Sequence, residues 1–147
     1  MKILTKYHGE ISIEDSEVIT FENGIPGFLG EKKFVILPFG EDSIFSIMQS
    51  LYNEHLAFVI TNPFLFFKEY DFTLDDQNVE QLQLQSDKDI TVFVILTVMD
   101  PFEKTTANLQ APIVLNNKKS IGKQVILTNT SYKTKHTIFD KESVAVK

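Results

Sequence analysis

Side chains that could carry out catalysis are few in this chain of 147 residues. It contains no cysteine, which excludes thiol nucleophiles, disulfides and zinc–thiolate sites. Its three histidines, His8, His55 and His136, lie far apart in sequence and match no metal-ligand spacing. The glycine-rich phosphate loop, the dinucleotide-binding motif and the nucleophile elbow are also absent. We therefore expect no enzyme, although a small hydrolase that depends on one of the histidines stays open as an alternative.

Two acidic stretches offer the remaining possibilities for chemistry. Asp75 and Asp76 are adjacent carboxylates, but acidic residues at the start of a helix are better explained by capping and by the helix dipole. Residues 14–17 are not part of the twelve-residue pattern of a calcium-binding loop, which has a central glycine and a terminal glutamate. We interpret them as a solvated loop. The sequence thus predicts no catalytic residue, no metal site and no cofactor.

Charge is distributed unevenly along the chain. All 14 basic residues are lysines, and residues 1–110 carry 18 acidic side chains against 7 lysines. Residues 111–147 reverse this balance, with 2 acidic side chains against 7 lysines, within a net charge of −6. An acidic surface repels phosphate backbones, and arginine, the usual bidentate reader of phosphate, is missing. This argues against direct nucleic-acid binding and favours a basic protein partner, although an acidic surface also serves solubility alone.

Short β-strands dominate the predicted secondary structure. Runs rich in valine, isoleucine, phenylalanine and threonine recur between turn-forming residues. Their spacing predicts a mainly β fold, either a sandwich or a small barrel, in a single domain with one short helix. That helix covers residues 74–84, with Asp75 and Asp76 at its start, although Leu82 and Leu84 also alternate as in a strand. The predicted strands are residues 2–6, 17–21, 33–39, 44–49, 57–61, 90–99, 113–116 and 122–128.

Two segments depart from simple alternation. Residues 90–99 carry apolar side chains on both faces of a strand, which predicts a central strand covered on both sides. Residues 62–72, the aromatic segment, hold five aromatic side chains in eleven positions. Core packing is the favoured interpretation of these rings. The alternative is that some of them line an exposed groove, where aromatic side chains provide a large contact area.

Three stretches combine into a recognisable pattern. The first, residues 19–29, reads ITFENGIPGFL. Asn23-Gly24 can supply the positive-φ positions of a tight turn, and Pro26 fixes φ just before a second glycine, which predicts a rigid double turn with Phe28 as its anchor. The second begins with Thr61-Asn62-Pro63-Phe64 and continues to residue 74. The third reads TTANLQAPIVLN over residues 105–116 and continues as GKQVIL over residues 122–127.

Together these stretches resemble the family of the flagellar assembly factor FliW, over about residues 7–132. The resemblance implies a small, mostly antiparallel β-barrel-like fold and a non-enzymatic protein. It also implies two protein partners, flagellin and the RNA-binding translational regulator CsrA. In that family, flagellin that holds FliW leaves CsrA free to repress flagellin translation, and FliW released on flagellin export binds CsrA and relieves the repression.

The residues that contact each partner are inferred from residue type. The aromatic segment offers a place where an amphipathic flagellin helix could lie. Its candidate contacts are Asn62, Pro63, Phe64 and Tyr70. An acidic protein is a natural antagonist of a basic RNA-binding one, and the candidate contacts with CsrA are Glu69, Asp71, Asp75, Asp76 and Glu80. A solvated helix face is the competing interpretation of these acidic residues.

Cellular location and domain boundaries complete the expectations. No apolar run is long enough to span a membrane, and the polar start does not resemble a signal peptide, so a soluble cytoplasmic protein is expected. The folded domain is predicted to cover residues 1–132, followed by a mobile polar tail over residues 133–147. The alternative function is a β-barrel module that binds an oligosaccharide, an oligonucleotide or another ligand unrelated to flagella.

Overall fold

The computed structural model describes residues 1–40, 43–128 and 130–139. Within these ranges lie one α-helix, α1 (Asp76–Gln81), and eleven β-strands. The strands are β1 (Lys2–Thr5), β2 (Gly9–Ser12), β3 (Ile19–Thr20), β4 (Lys33–Pro38), β5 (Phe45–Ser50), β6 (Ala57–Thr61), β7 (Ile90–Thr97), β8 (Thr106–Ala107), β9 (Ile113–Asn116), β10 (Ile121–Gln124) and β11 (His136–Thr137). Short 3₁₀ helices cover Asp15–Glu17, Pro63–Leu65, Asp87–Asp89 and Phe102–Lys104.

Seven of the strands form a closed barrel. Their order is β7, β6, β5, β4, β3, β10 and β9, and the pairing of β9 with β7 closes the ring. Strands β3 and β10 run parallel, and the other pairs of the ring are antiparallel. Strands β8 and β11 extend the sheet beyond β7, and β1 pairs with β2 as a separate hairpin. The predicted mainly β, barrel-like single domain is thus confirmed.

Large apolar side chains fill the barrel interior. Phe21 and Phe34 are fully buried and meet edge to face with their ring centroids 5.3 Å apart. Ile60 of β6 and Ile113 of β9, the two strands that flank β7 in the ring, belong to the same cluster. The members of this cluster are inward-facing residues, which alternate along the strands with residues that point outward.

Three layers cover the outside of the barrel. The hairpin β1–β2 packs Ile3 and Ile11 against the outer side chains of β4 and its neighbours. The aromatic segment packs against β7 and β8. The loops around α1 pack Leu82 against Val114 of β9 and Val125 after β10. Strands of a small barrel can therefore be apolar on both faces without exposing a continuous apolar surface.

Strand β7 only partly fulfils its prediction. It is central, because it pairs with β6, β8 and β9. Its outer side chains Val94 and Leu96 are buried under the aromatic segment. Ile90 and Val92, on the same outer face, are only half-buried. The prediction of complete cover is therefore wrong for the first half of β7, since the covering segment passes over the second half alone.

All eight predicted strands are present; those at 57–61 and 113–116 have the predicted bounds, and the other six have shifted ends. The strand predicted at 17–21 shrinks to β3, since residues 15–17 form a 3₁₀ helix, and the strand predicted at 122–128 becomes β10. Strands β2, β8 and β11 were not predicted. The predicted helix is present as α1, and the Asp75 carboxylate caps it by accepting the Asn78 N–H at 2.8 Å.

The double turn at residues 22–29 is present with one change. Gly24 and Gly27 have φ values of +67° and +90°, the left-handed region that favours glycine. Asn23, predicted to share that conformation, does not adopt a positive φ. Phe28 rests edge to face on Phe58, with ring centroids 5.9 Å apart, while its side chain stays 44% exposed. The loop is therefore anchored by one face of this ring.

Residues 133–147, expected to form a mobile tail, are described as far as Phe139. Strand β11 pairs with β8, and Ile138 is buried against the aromatic segment. The fold thus continues beyond the expected boundary at residue 132, while residues 140–147 lie outside the described ranges. In the described part of the chain, no helix is long and apolar enough to cross a membrane.

We predict that Gly122→Ala destabilises the barrel by about 1–3 kcal/mol, because overpacking a closed core forces buried groups to move. A Cβ at position 122 would lie 2.6 Å from the buried Phe21 ring and 2.7 Å from the Leu115 side chain. Urea denaturation measures the change in the free energy of unfolding. Gly30→Ala is the matched control, since a Cβ there meets nothing within 4 Å. Equal effects of the two substitutions would contradict close packing at Gly122.

Candidate functional site

A groove of about 930 Å³ opens over the first half of β7. Its floor is formed by Ile90, Thr91 and Val92. The aromatic segment forms one wall, and residues 73–87, the helical wall, form the other. The lining side chains of the two walls are Asn62, Phe64, Asp71 and Phe72 on one side, and Thr73, Leu74, Val79, Leu84, Gln85, Ser86 and Asp87 on the other.

The groove exists because the chain leaves the sheet directly after β6. The Asn62 side chain accepts the Phe64 N–H at 2.9 Å and begins the 3₁₀ helix Pro63–Leu65. Proline lacks an N–H, so Pro63 could not donate to a continued β6–β7 ladder. Pro63 is buried at this point. The aromatic segment therefore turns away from the sheet and leaves the first half of β7 only partly covered.

Tyr70 secures the aromatic wall from behind. Its side chain is 5% exposed, and its hydroxyl donates to the Leu109 carbonyl at 2.7 Å. The Tyr132 ring packs edge to face on it at 4.7 Å, and the Tyr132 hydroxyl accepts the Asp71 N–H at 3.0 Å. Burial, and secondarily the neighbouring Tyr132, raises the pKa of Tyr70 above its ordinary value. The Phe64 ring lies against the Tyr70 ring, with ring centroids 5.9 Å apart, and Phe64 stays 43% exposed at the groove.

The helical wall is tied to the barrel by polar contacts. The buried Asn116 side chain at the end of β9 donates to the Leu82 carbonyl at 2.8 Å and to the Gln83 carbonyl at 3.1 Å. The Lys123 ammonium of β10 donates to the side chains of Asn78 and Gln81. The Asn116 contacts satisfy carbonyls that follow the end of α1 and have no intrahelical partner, whereas the Lys123 contacts hold the helix by its side chains. Both walls of the groove are thus held by the barrel itself.

The described residues that line the groove carry a negative net charge. Asp71 and Asp87 lie on its rim, and none of these residues is a lysine. Asp76 and Glu80 are exposed on the adjoining helix α1. An apolar floor with acidic edges suits a partner segment that has apolar side chains and basic neighbours.

The nine predicted partner-binding residues fall near this groove in different ways. Asn62, Phe64 and Asp71 line it. The acidic residues Glu69, Asp75, Asp76 and Glu80 are exposed close to its walls in sequence, and Asp75 also caps α1. Pro63 and Tyr70 require a correction, because both are buried and support the wall from inside. Their side chains offer no surface for direct contact with a partner.

Sequence reasoning missed the floor of the groove and most of the helical wall. The sequence pattern assigns Ile90 and Val92 to a fully covered strand, and it does not mark Leu84 or Asp87 as site residues. One signal was available. In the register that pairs Thr61 with Val94, the antiparallel partner of Ile90 would be residue 65, but Asn62-Pro63 ends β6 four residues earlier, at Thr61.

None of the three histidines lines the groove. His55 is exposed beside Glu54, at 3.8 Å, and the His8 ring lies 2.9 Å from the Pro38 carbonyl. His136 accepts the Lys133 N–H at 2.8 Å, and burial followed by the Lys133 charge lowers its pKa. Among the described residues, no group of three histidine, aspartate or glutamate side chains is arranged to hold a metal ion.

Comparison with known proteins identifies the family. The family model of the FliW protein matches residues 2–138. The chain belongs to the FliW family. It is 56% identical to the flagellar assembly factor FliW of Geobacillus kaustophilus over 142 residues, 97% of this chain and 98% of that protein. It is 53% identical to FliW of Bacillus subtilis over 138 residues, 94% of this chain and 96% of that protein.

A solved structure supports the same assignment. The crystal structure of the flagellar assembly factor FliW superimposes with a TM-score of 0.92 at 54% identity, and covers 95% of this chain and 98% of that one. The resemblance seen in the three sequence stretches is thus confirmed. Membership of the FliW family supports a flagellar role and sets aside the alternative of a ligand-binding barrel unrelated to flagella.

We predict that Tyr70→Phe lowers the free energy of unfolding by about 1–2 kcal/mol, because the buried Leu109 carbonyl loses its side-chain donor. Stability should also depend less on pH above 10 in the variant. The unfolded chain ionises Tyr70 near pH 10.0, whereas the folded protein keeps it protonated, so the wild type loses stability as pH rises past that value. Denaturation at pH 8 to 11 measures both effects.

Tyr52→Phe is the matched control, since Tyr52 is 77% exposed. It should change neither the stability near neutral pH nor the alkaline slope. A Tyr70→Phe variant with the wild-type slope would contradict the buried, protonated state of Tyr70.

Proposed function

We propose that this FliW-family protein is a non-enzymatic cytoplasmic partner switch that binds flagellin and CsrA. Bound to flagellin, it would leave CsrA free to repress flagellin translation. Released from flagellin, it would bind CsrA and relieve that repression. The observation that carries this proposal is the groove over β7, where an apolar floor and an acidic rim lie side by side.

The flagellin arm of the proposal rests on the apolar part of the groove. Phe64 presents nearly half of its side chain there, and Ile90 and Val92 are partly exposed on the floor. Removal of such apolar surface from water favours association, and the part that exceeds the entropic cost of binding appears as affinity. A flagellin segment with apolar side chains would remove these groups from water.

The CsrA arm rests on the acidic side chains beside the groove. An RNA-binding protein carries a basic surface, to which Asp71, Asp76 and Glu80 are complementary. The acidic residues form no continuous run that imitates the spacing of phosphates. We therefore favour contact with CsrA outside its RNA site, with inhibition through a difference in affinity for two CsrA states.

The two candidate surfaces adjoin at Asp71, which follows the aromatic segment's buried Tyr70 and lines the same groove as Phe64. A partner seated on one surface would occupy space that the other partner needs. Overlap of this kind supports mutual exclusion, which a partner switch requires.

Calorimetric titration tests the switch directly. The protein is titrated with purified CsrA, alone and after saturation with flagellin. Loss of CsrA binding in the presence of flagellin is the expected result. Unchanged CsrA binding would remove the switch while keeping both contacts, and no CsrA binding at all would leave flagellin as the sole proposed partner.

We predict that Phe64→Ala weakens flagellin binding about tenfold to a hundredfold, because an exposed aromatic anchor at a groove contributes about 1–3 kcal/mol. Titration calorimetry of both proteins measures the change. Phe28→Ala is a matched control, since Phe28 is 44% exposed and also contacts one aromatic ring, with ring centroids 5.9 Å apart. Equal losses in the two variants would contradict the groove as the flagellin site.

We predict that the triple variant Asp71→Asn, Asp76→Asn, Glu80→Gln weakens CsrA binding and reduces its dependence on salt. Charged surfaces speed encounter and are screened above physiological ionic strength, so CsrA binding should weaken with salt much more than flagellin binding does. Titrations at 0.05 and 0.5 M salt measure this. The control variant Glu10→Gln, Asp15→Asn, Glu103→Gln removes three exposed acidic charges elsewhere. Equal salt dependence for the two partners would contradict the division into acidic and apolar contacts.

A further inference from the structure

One edge of β7 carries backbone groups without a partner strand. Backbone N–H and C=O groups of successive residues in a strand point to opposite edges. The Asp89 carbonyl accepts the Asn117 N–H beyond β9, and the Ile95 carbonyl accepts the Asn108 N–H beyond β8. The backbone groups of odd-numbered residues of β7 thus point toward β9 and β8. The backbone groups of the even-numbered residues Ile90 and Val92 point toward the opposite edge, where β6 lies.

Strand β6 does not reach these even-numbered residues. It pairs Thr61 with Val94 and Ile60 with Ile95, and then ends. In a continued register Pro63 would lie opposite Val92, but the chain has already left the sheet there. The Ile90 N–H donates to the Asp87 carbonyl. Among the described residues, the β6–β7 pairing ends at Val94, and no backbone hydrogen bond outside the strand ladders reaches the Val92 N–H, the Val92 carbonyl or the Ile90 carbonyl.

This open edge coincides with the groove floor. Ile90, Thr91 and Val92 line the groove, with Asn62 and Phe64 across the gap that β6 leaves. Unpaired strand edges template the addition of another strand, and proteins normally cover or blunt them. Here the walls leave a volume of about 930 Å³ beside the edge. The groove thus offers hydrogen-bonding groups as well as apolar side chains.

We propose that the groove binds an extended segment of flagellin as an added strand beside residues 90–92, in place of the helix that the aromatic segment alone had suggested. This inference rests on the proposed function, because it assigns the binding mode of flagellin at the same site. The added strand hydrogen-bonds to the Val92 N–H, the Val92 carbonyl and the Ile90 carbonyl. Strand addition supplies affinity through main-chain bonds and specificity through alternate side chains.

The chemistry of the groove defines the segment that fits. Side chains of the added strand alternate between the two faces of the sheet, so those on the outer face meet Phe64 and Leu84. These positions require apolar residues. Asp71 and Asp87 on the rim favour a lysine or arginine beside them. The segment is therefore extended, with apolar side chains at alternate positions and a basic residue nearby.

Amide hydrogen exchange followed by NMR tests this binding mode in the wild-type protein. In the free protein, the Val92 amide should exchange rapidly, while the Phe93 amide, which faces β9, should be protected. Saturation with flagellin should slow Val92 exchange at least about tenfold and produce backbone contacts between the Val92 region and flagellin. Protection of Val92 in the free protein would overturn the inference, as would unchanged exchange in a complex that forms.

Substitution of Val92 by proline provides a second test. Proline removes the N–H, and an edge position whose N–H has no partner tolerates it. Val92→Pro should keep the fold, checked by circular dichroism, and weaken flagellin binding about tenfold or more. Val92→Ala is the control, since it loses side-chain area but retains the N–H. Equal weakening in the two folded variants would overturn strand addition.

The outcomes separate this inference from the proposed function. Absence of flagellin binding to the wild-type protein would contradict the flagellin arm itself. Binding of flagellin that neither slows Val92 exchange nor responds to Val92→Pro would preserve that arm and overturn strand addition. If the Val92→Pro variant fails to fold, the exchange measurement on the wild-type protein decides alone.

Discussion

The pairing of β9 with β7 is the constraint on which the rest of the structure depends. It closes the ring and thereby places Phe93 and Ile95 inside with the buried Phe21 and Phe34. Closure also commits one edge of β7 to β9 and β8, which leaves β6 as the other neighbour. Because β6 ends at Thr61, the ring has a gap beside the first half of β7. The groove is a consequence of how the barrel closes.

Sequence patterns predicted the ring well, because its longer strands carry apolar runs that must be buried somewhere. The three strands that were missed lack such a pattern. Strands β8 and β11 contain two residues each and exist only where tertiary pairing aligns them, and β2 is largely exposed. A two-residue strand has no periodicity to detect. The presence of a strand could therefore be predicted where the strand is extensively buried. The presence of β2, β8 and β11 depends on tertiary pairing, which the local sequence does not reveal.

The aromatic segment shows why the site was only partly predictable. Its rings belong to four phenylalanines and one tyrosine and differ in exposure: Tyr70 is buried with its hydroxyl on the Leu109 carbonyl, while Phe64 is 43% exposed. What separates them is a hydrogen-bond acceptor 39 positions later in sequence, which no local pattern reveals. Composition predicted that aromatic contact area would gather here. Which ring faces solvent was decided by the packing of Tyr132 and Ile138 from the end of the described chain.

A groove of this construction joins two kinds of recognition that respond differently to conditions. Apolar side chains and backbone groups act at contact distance and are little affected by salt, whereas the acidic rim acts over about 10 Å at 0.1 M salt. Asp71 belongs to both, since it lines the groove and carries a charge. A partner held by the floor would shield the rim charges from a second, basic partner. Exclusion between the two proposed partners can therefore arise from shared space and shared charge, with no change in the shape of the barrel.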